Sequence, residues 1–264
     1  MGKFINGVSN YNEWRDHSKD NKMYIAKMAI ISECLAKIAR HELNIFDEYR
    51  LVNAIKISGL TGKLEDFWAV STSVLMNNHC QNRAKCDGSI CKDCYACANV
   101  QRFKDLAQSL ETNYLILNNF LISEEVWRSL AIPSSNGKAR IEAHGDVDTV
   151  ISAINYNRIV ASHPHLTFAV FTKNYDIWKE VFEAEGKPDN MILILSSPMV
   201  NKVITVTDEM RKYVDHVFTV YEKEYARENG IVINCGSDET EHKCKSCLRC
   251  YIYGTEFYIN ELKK

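Results

Sequence analysis

The spacing of apolar residues changes partway along the chain. Between residues 21 and 41, Met28, Ile31, Leu35 and Ile38 recur at steps of three and four, separated by Lys27, Glu33 and Lys37. That period predicts an amphipathic helix. A second helix is predicted over 43–57, ended by Gly59 and Gly62. Residues 67–73, running from Phe67 and Trp68 to Ser73, have strand composition. Helices are expected at 98–111 and at 123–130 around Trp127, and the loop from Pro133 to Gly137 separates them from the second half of the chain. Residues 1–20 are polar and read as an irregular lead-in.

From Arg140 the pattern becomes a strand–helix alternation. Strands are predicted at 140–146, 166–172, 191–195, 216–220 and 231–234, with helices at 148–161, 175–185, 207–214 and 222–228. Such a repeat implies right-handed crossovers and a parallel sheet. The unbroken apolar run from Met191 to Leu195 suits a strand covered on both faces. The expected fold is α/β, a partial or complete parallel barrel-like sheet, with an open doubly wound sheet as the alternative. The expected organisation is an N-terminal helical extension over 1–62 and a barrel-like domain over 63–264.

Composition narrows the partners. The chain has 264 residues, is 46% hydrophobic and carries a net charge of −2, so its overall charge does not point to nucleic acid. It opens with no signal peptide and has no apolar run long enough to span a bilayer. A cytoplasmic, reducing setting is therefore expected, where clustered cysteines favour metal ligation over disulfides.

Those cysteines carry the candidate chemistry. One block reads Cys80-x5-Cys86-x4-Cys91-x2-Cys94-x2-Cys97 and the other Cys235-x8-Cys244-x2-Cys247-x2-Cys250. Cys34 stands apart, at a helix position that suits a small buried side chain. The run Cys-x2-Cys-x2-Cys occurs in both blocks. Structural zinc sites usually pair two Cys-x2-4-Cys units, whereas thiolates at repeated two-residue gaps can each meet a different iron of one cluster. One or two 4Fe-4S clusters are the expected cofactors, with zinc as the alternative. Four thiolates in the second block would close a cluster; five in the first would leave either a spare cysteine or an open iron.

In parallel sheets ligands gather beyond the carboxyl ends of strands. Both blocks are expected there, since one comes after the strand at 67–73 and Cys235 comes after the strand at 231–234. A two-residue period places Arg140, Glu142, His144 and Asp146 on one face. Glu142, His144, Asp146 and Lys173 are the candidate catalytic residues. Thr172, Ser196 and Asn234 are the candidate cofactor contacts, and His79, beside Cys80, is a candidate ligand or supporting donor.

The segment Cys91-x2-Cys94-Tyr95-Ala96, followed by His144-Gly145-Asp146 and Phe171-Thr172-Lys173, resembles a phage-associated family labelled phage gene product 88-like, over about residues 80–254. That family in turn is distantly similar to radical S-adenosylmethionine enzymes, which implies an open-iron 4Fe-4S cluster and S-adenosylmethionine as a further cofactor. Those enzymes use Cys-x3-Cys-x2-Cys; the nearest match here, Cys86-x4-Cys91-x2-Cys94, is one residue longer, and no Gly-Gly-Glu segment comes after the next strand.

Phosphate-loop, dinucleotide, zinc-protease and serine-hydrolase motifs are absent from the sequence. The expected function is an iron–sulfur redox or radical-type enzyme acting on a small-molecule or macromolecular substrate, with an electron-donor protein as partner. The alternative is a non-catalytic module with structural zinc, presenting Lys243, Lys245 and Arg249 to protein or nucleic acid.

Overall fold

A computed structural model describes residues 21–235 and 243–263. The irregular lead-in predicted for 1–20 lies outside the described residues. The described residues begin with helix α1 (Lys22–Ala39), N-capped by Asn21, whose side chain accepts from the Tyr24 N–H. Helix α2 (Ile45–Ala54) comes next, with a reciprocal capping box between Asn44 and Asp47. Ile31 and Cys34 of α1, and Leu51 and Val52 of α2, enter the main core beside Ile116, Leu117 and Trp127. Cys34 is fully buried, as its position predicted.

Strand β1 (Ile57–Gly59) is antiparallel to β2 (Trp68–Val70), and the boundary expected at 62/63 falls in their connection. Helix α3 (Asn78–Lys85), a 3-10 turn at Ile90–Asp93, α4 (Tyr95–Arg102), α5 (Lys104–Asn119) and α6 (Glu124–Trp127) precede β3 (Lys138–Ile141). The single helix predicted over 98–111 is thus two, which meet at Phe103. Then come α7 (Val150–Ala161), β4 (Thr167–Thr172), α8 (Tyr175–Glu185), β5 (Met191–Ser196), β6 (His216–Tyr221), α9 (Lys223–Glu228), α10 (Cys244–Cys247) and β7 (Tyr258–Leu262). The helix predicted at 207–214 is only a 3-10 turn at Met210–Lys212.

The sheet order is β1-β2-β3-β4-β5-β6-β7, and each pairing from β2 to β7 is parallel. An order without reversal is not doubly wound, because double winding needs a switch point. Nor does the sheet close into a complete barrel, since β1 and β7 remain its two edges. Consecutive right-handed crossovers put the connecting helices on one face. Alternation along the strands divides the interior accordingly. Ala139, Ile141, Phe168, Val170, Leu193 and Val217 face the helices. Ala169, Phe171, Ile192, Ile194 and Phe218 face the other way, beneath Phe67 and Tyr251.

The last strand departs from expectation. Residues 231–235 form no strand, and the final parallel strand is Tyr258–Leu262. Asn234 explains the difference: its amide donates to Tyr258 O (2.9 Å) and its Oδ1 accepts from Asn260 N (2.8 Å). The segment is therefore clipped onto β7 from outside the sheet. Among the described residues no helix is long and apolar enough to cross a membrane.

Candidate functional site

The site begins just beyond β3. Glu142 takes a left-handed conformation (φ 57°), which ends the two-residue alternation predicted through Asp146. Arg140 and Glu142 consequently do not share a face. Arg140 lies over the Phe171 ring, 4.0 Å from its centroid, on the face away from the helices. Glu142 turns toward them. Its carboxyl accepts from Tyr156 OH (2.6 Å), Thr72 Oγ1 (2.6 Å) and Thr72 N (3.0 Å). Burial outweighs these donors and pushes its pKa up to about 8. Gly145 permits this packing. A Cβ there would stand 2.8 Å from Glu142 Oε2 and 2.9 Å from Thr72 O, at a φ of 90°.

Asp146 binds the ends of two strands together. Its Oδ1 accepts from Thr172 Oγ1 (2.7 Å) and Val147 N (2.8 Å), and its Oδ2 from Lys173 N (2.7 Å). Its backbone carbonyl accepts from Asn77 Nδ2 (2.6 Å). Asp148 then receives the N–H groups of Asn78 (3.1 Å) and His79 (3.0 Å) at the start of α3, a favourable place for a carboxylate. The Gly-Asp and Thr-Lys segments thus act together as a brace that fixes the helix carrying Cys80. Thr172 belongs to this brace and faces the helices, whereas Lys173 alternates to the other side.

The segments that carry Cys80 and Cys91 are held by groups beyond the carboxyl ends of β3 and β5. Ile90 N donates to Pro198 O beyond β5 (2.9 Å), anchoring the turn that holds Cys91. Cys94 caps α4. Cys80, Cys91 and Cys94 lie within electrostatic reach of one another. Burial pushes the Cys80 thiol well up, with Asp146, Cys94 and Cys91 adding to the effect. Burial also raises Cys94, while the nearby backbone N–H groups of Cys97 and Ala96 pull the other way. Lys173 faces the same group. Its burial alone would lower its pKa, but Cys91, Asp146, Cys80 and Cys94 more than offset this and hold the ammonium charged.

Cys86 stands apart from this set, whereas Cys97 adjoins it: Cys80 and Cys94 pack against its cluster, and Cys94 lies within electrostatic reach. Cys97 is buried in a small apolar cluster with Val74, Leu75 and Val100, where Gln101 donates to its sulfur (3.3 Å). Burial pushes its thiol to about 11. Cys86 is exposed, its Sγ 3.5 Å from Asn82 O. The equal gaps do not place Cys91, Cys94 and Cys97 alike: α4 starts at Tyr95, and its first turn carries Cys97 inward while keeping it beside Cys94.

The second block does not share the rim. Lys245 pairs with Asp66 just before β2 (2.8 Å), Tyr253 OH donates to Asp189 O just before β5, and His216 Nδ1, at the start of β6, meets Glu256 O (3.0 Å). These contacts lay the 244–256 segment along the amino half of the helix-free face. The expectation failed because Cys235 does not come after a parallel strand. Cys244, Leu248 and Cys250 pack there against Phe67, Ala169, Ile192 and Tyr251. Leu248 is left-handed (φ 52°) and turns the chain between Cys247 and Cys250. Cys250 is pushed to about 12 by burial, against the opposing charge of Arg140 and alongside Cys235, Cys244 and Cys247. Burial also raises Cys244, while Lys63 and Arg140 pull it down.

The remaining predicted residues fall between and around these sets. His144 packs obliquely on Tyr95 (6.0 Å between centroids), and burial, with Arg140 nearby, lowers it to about 4. His79 is lowered by burial; its Nε2 lies 3.9 Å from Asp146 Oδ2 and has no hydrogen-bond partner. Ser196 is buried at the end of β5. Asn234 serves the clip onto β7 instead of a cofactor contact. Arg140, Lys63 and Tyr156 were not among the predicted site residues. Of these, Arg140 had a sequence signal, its place in a polar alternation with Glu142, His144 and Asp146. Among the described residues, no three His, Cys, Asp or Glu side chains are arranged to hold a single metal ion.

No curated protein and no solved structure is significantly similar to the chain. The gene product 88 family model matches residues 49–252, beginning earlier than the resemblance at about residue 80 and taking in α2, β1 and β2. The match spans the brace, the rim cysteines and all but the last strand of the sheet, and the chain belongs to the gene product 88 family.

Proposed function

We propose that the protein binds iron–sulfur clusters and uses them for redox or radical-type chemistry. The observation that carries this is the sorting of seven cysteines into a rim set (Cys80, Cys91, Cys94) and an inner set (Cys235, Cys244, Cys247, Cys250), each facing half-buried cations. Thiolate sets of three and four suit clusters in which every sulfur meets its own iron. A single zinc ion needs its donors around one point, an arrangement missing among the described residues. The consecutive parallel order, with helices on one face, supports a partial barrel whose inner face carries both sets.

A bound cluster would supply one-electron chemistry. The chain's residues would do the rest. Three rim thiolates leave one iron without a protein sulfur, open to substrate or to S-adenosylmethionine. Lys173 offsets the negative charge of the thiolates and attracts an anionic group of a ligand. His144, with its lowered pKa, stays neutral near pH 7, able to donate or accept a hydrogen bond. Asp146 and Asp148 hold the rim in shape. The four inner thiolates close their own cluster, suited to passing electrons from a donor protein to the rim.

Protein isolated without oxygen should be brown and contain iron with acid-labile sulfide. Addition of S-adenosylmethionine to the reduced protein should alter the electron paramagnetic resonance of the rim cluster if that molecule is the ligand. Colourless protein carrying only zinc would overturn the proposal. The zinc-module alternative is weakened by its own cations: Lys243 pairs with Glu65, Lys245 with Asp66 and Arg249 with Glu256, so none is held free for a partner.

A further inference from the structure

The cations around the inner set are not equivalent. Lys63 pairs with Glu261, Lys243 with Glu65, Lys245 with Asp66 and Arg249 with Glu256. Arg140 makes no ion pair among the described residues, and its Nε is buried with no hydrogen-bond partner. The guanidinium rests on Phe171, which packs in the same apolar cluster as Cys244, Cys250 and Tyr251. A cation–π contact is weaker than the ion pair with a counter-anion that it would have to replace. Arg140 is only half-buried, but its buried Nε has no acceptor among the described residues, and Cys250 and Cys244 lie within electrostatic reach of its charge.

We propose that Arg140 is the counter-cation of whatever metal centre the four inner cysteines hold, positioned to donate a hydrogen bond from its orphaned Nε. Resting on the metal-binding reading proposed for those cysteines, this assigns Arg140 a positioning role rather than a catalytic one. Four thiolates around a divalent ion, or around an oxidised 4Fe-4S cluster, leave a net dianion. One-electron reduction of the cluster adds a further negative charge. A fixed positive charge beside it favours both retention of the metal and uptake of the electron, since net charge and hydrogen bonds to sulfur set cluster potentials.

The test compares full-length wild type with Arg140→Gln, Arg140→Met and Arg140→Lys, all prepared without oxygen. The midpoint potential is measured by electron paramagnetic resonance, and the rate of metal loss by competition with a chelator. The Met variant keeps an apolar stem on Phe171 while removing the charge, and circular dichroism establishes folding. Gln and Met are expected to shift the inner-set potential to more negative values and to speed metal loss several-fold. Lys is expected to remain near wild type, and the rim-set metal should be retained throughout. Wild-type potential and metal-loss rate in both uncharged variants would overturn the assignment of Arg140 alone. A wild-type protein with no metal on the inner cysteines would overturn the assignment together with the reading it rests on.

Discussion

The rim set and the inner set use the same ligand atom in opposite settings. The rim cysteines arrive on short elements, α3, a 3-10 turn and the cap of α4, pinned by carboxylates and carbonyls beyond the ends of β2 to β5. Of the inner cysteines, Cys244 and Cys250 press onto the apolar face of β4 and β5, and Cys235 is held against β7. At the rim, Lys173 and Asp146 face three thiols; inside, Arg140 and Lys63 face four. Three ligands with polar neighbours suit a centre that meets a ligand. Four ligands, of which Cys244 and Cys250 pack with Phe67 and Tyr251 while Cys247 is exposed, suit one that transfers electrons or supports the fold. The contrast is one of completeness and access rather than of chemistry.

Cysteine substitutions test that contrast most strongly. Cys91→Ala or Cys94→Ala should remove about half of the iron and leave the inner cluster, whereas Cys244→Ala or Cys250→Ala should do the reverse. Iron and sulfide analysis checks both. Cys86→Ser should retain wild-type iron, because that side chain is exposed and away from the others.

Next in size is the brace. Asp146→Ala removes a carboxylate that accepts three hydrogen bonds. With charged hydrogen bonds contributing roughly 1.5–3 kcal/mol each before relaxation, the variant should lose about 3 kcal/mol in denaturant unfolding. Its rim iron should fall before its inner iron. Gly145→Ala should cost about 2–3 kcal/mol, from left-handed strain and from contact with Thr72 and Glu142. Iron loss of equal size from both sets in the Asp146 variant would blur the distinction between rim and interior.

The smallest expected effect concerns pH. Glu142 titrates at about 8 in the folded chain against an ordinary value of 4.5. Between those values the unfolded chain has released the proton and the folded chain still holds it, so stability should fall as pH rises through that window and level off above it. Glu142→Gln removes the ionisation. Its amide can donate to the Thr72 and Tyr156 hydroxyls, which rotate to accept, while its carbonyl takes the Thr72 N–H. The variant should unfold with a flatter dependence over that range, its iron content unchanged. A variant curve parallel to wild type would show that Glu142 does not carry the proton.

Much of the frame was legible in the sequence. The runs at 166–172 and 191–195 became β4 and β5 almost unchanged, because strands covered on both faces are written as continuous apolar stretches. The capped helix after Asp148 was likewise legible. The last strand was not. Tyr258–Leu262 is an edge strand reading Tyr-Ile-Asn-Glu-Leu, without alternation, and Asn260 and Glu261 disguise it. Nor was the turn at Glu142: a left-handed glutamate has no signature in composition, yet it separates Arg140 from the carboxyl predicted to share its face. The cysteine spacing revealed two blocks but not which members converge. Cys97 was assigned by its gap, whereas the helix beginning at Tyr95 decides its direction. Cys235 was assigned to the end of a strand, and the side chain of Asn234 holds it elsewhere.

The most direct measurement is the iron and acid-labile sulfide content of the anaerobically isolated chain beside the Cys91→Ala/Cys94→Ala and Cys244→Ala/Cys250→Ala double variants. The account predicts iron with matching sulfide in the wild type, and about half of each in either double variant, with distinct electron paramagnetic resonance signals in the two. Zinc in place of iron, or complete loss of iron from both variants, would contradict it.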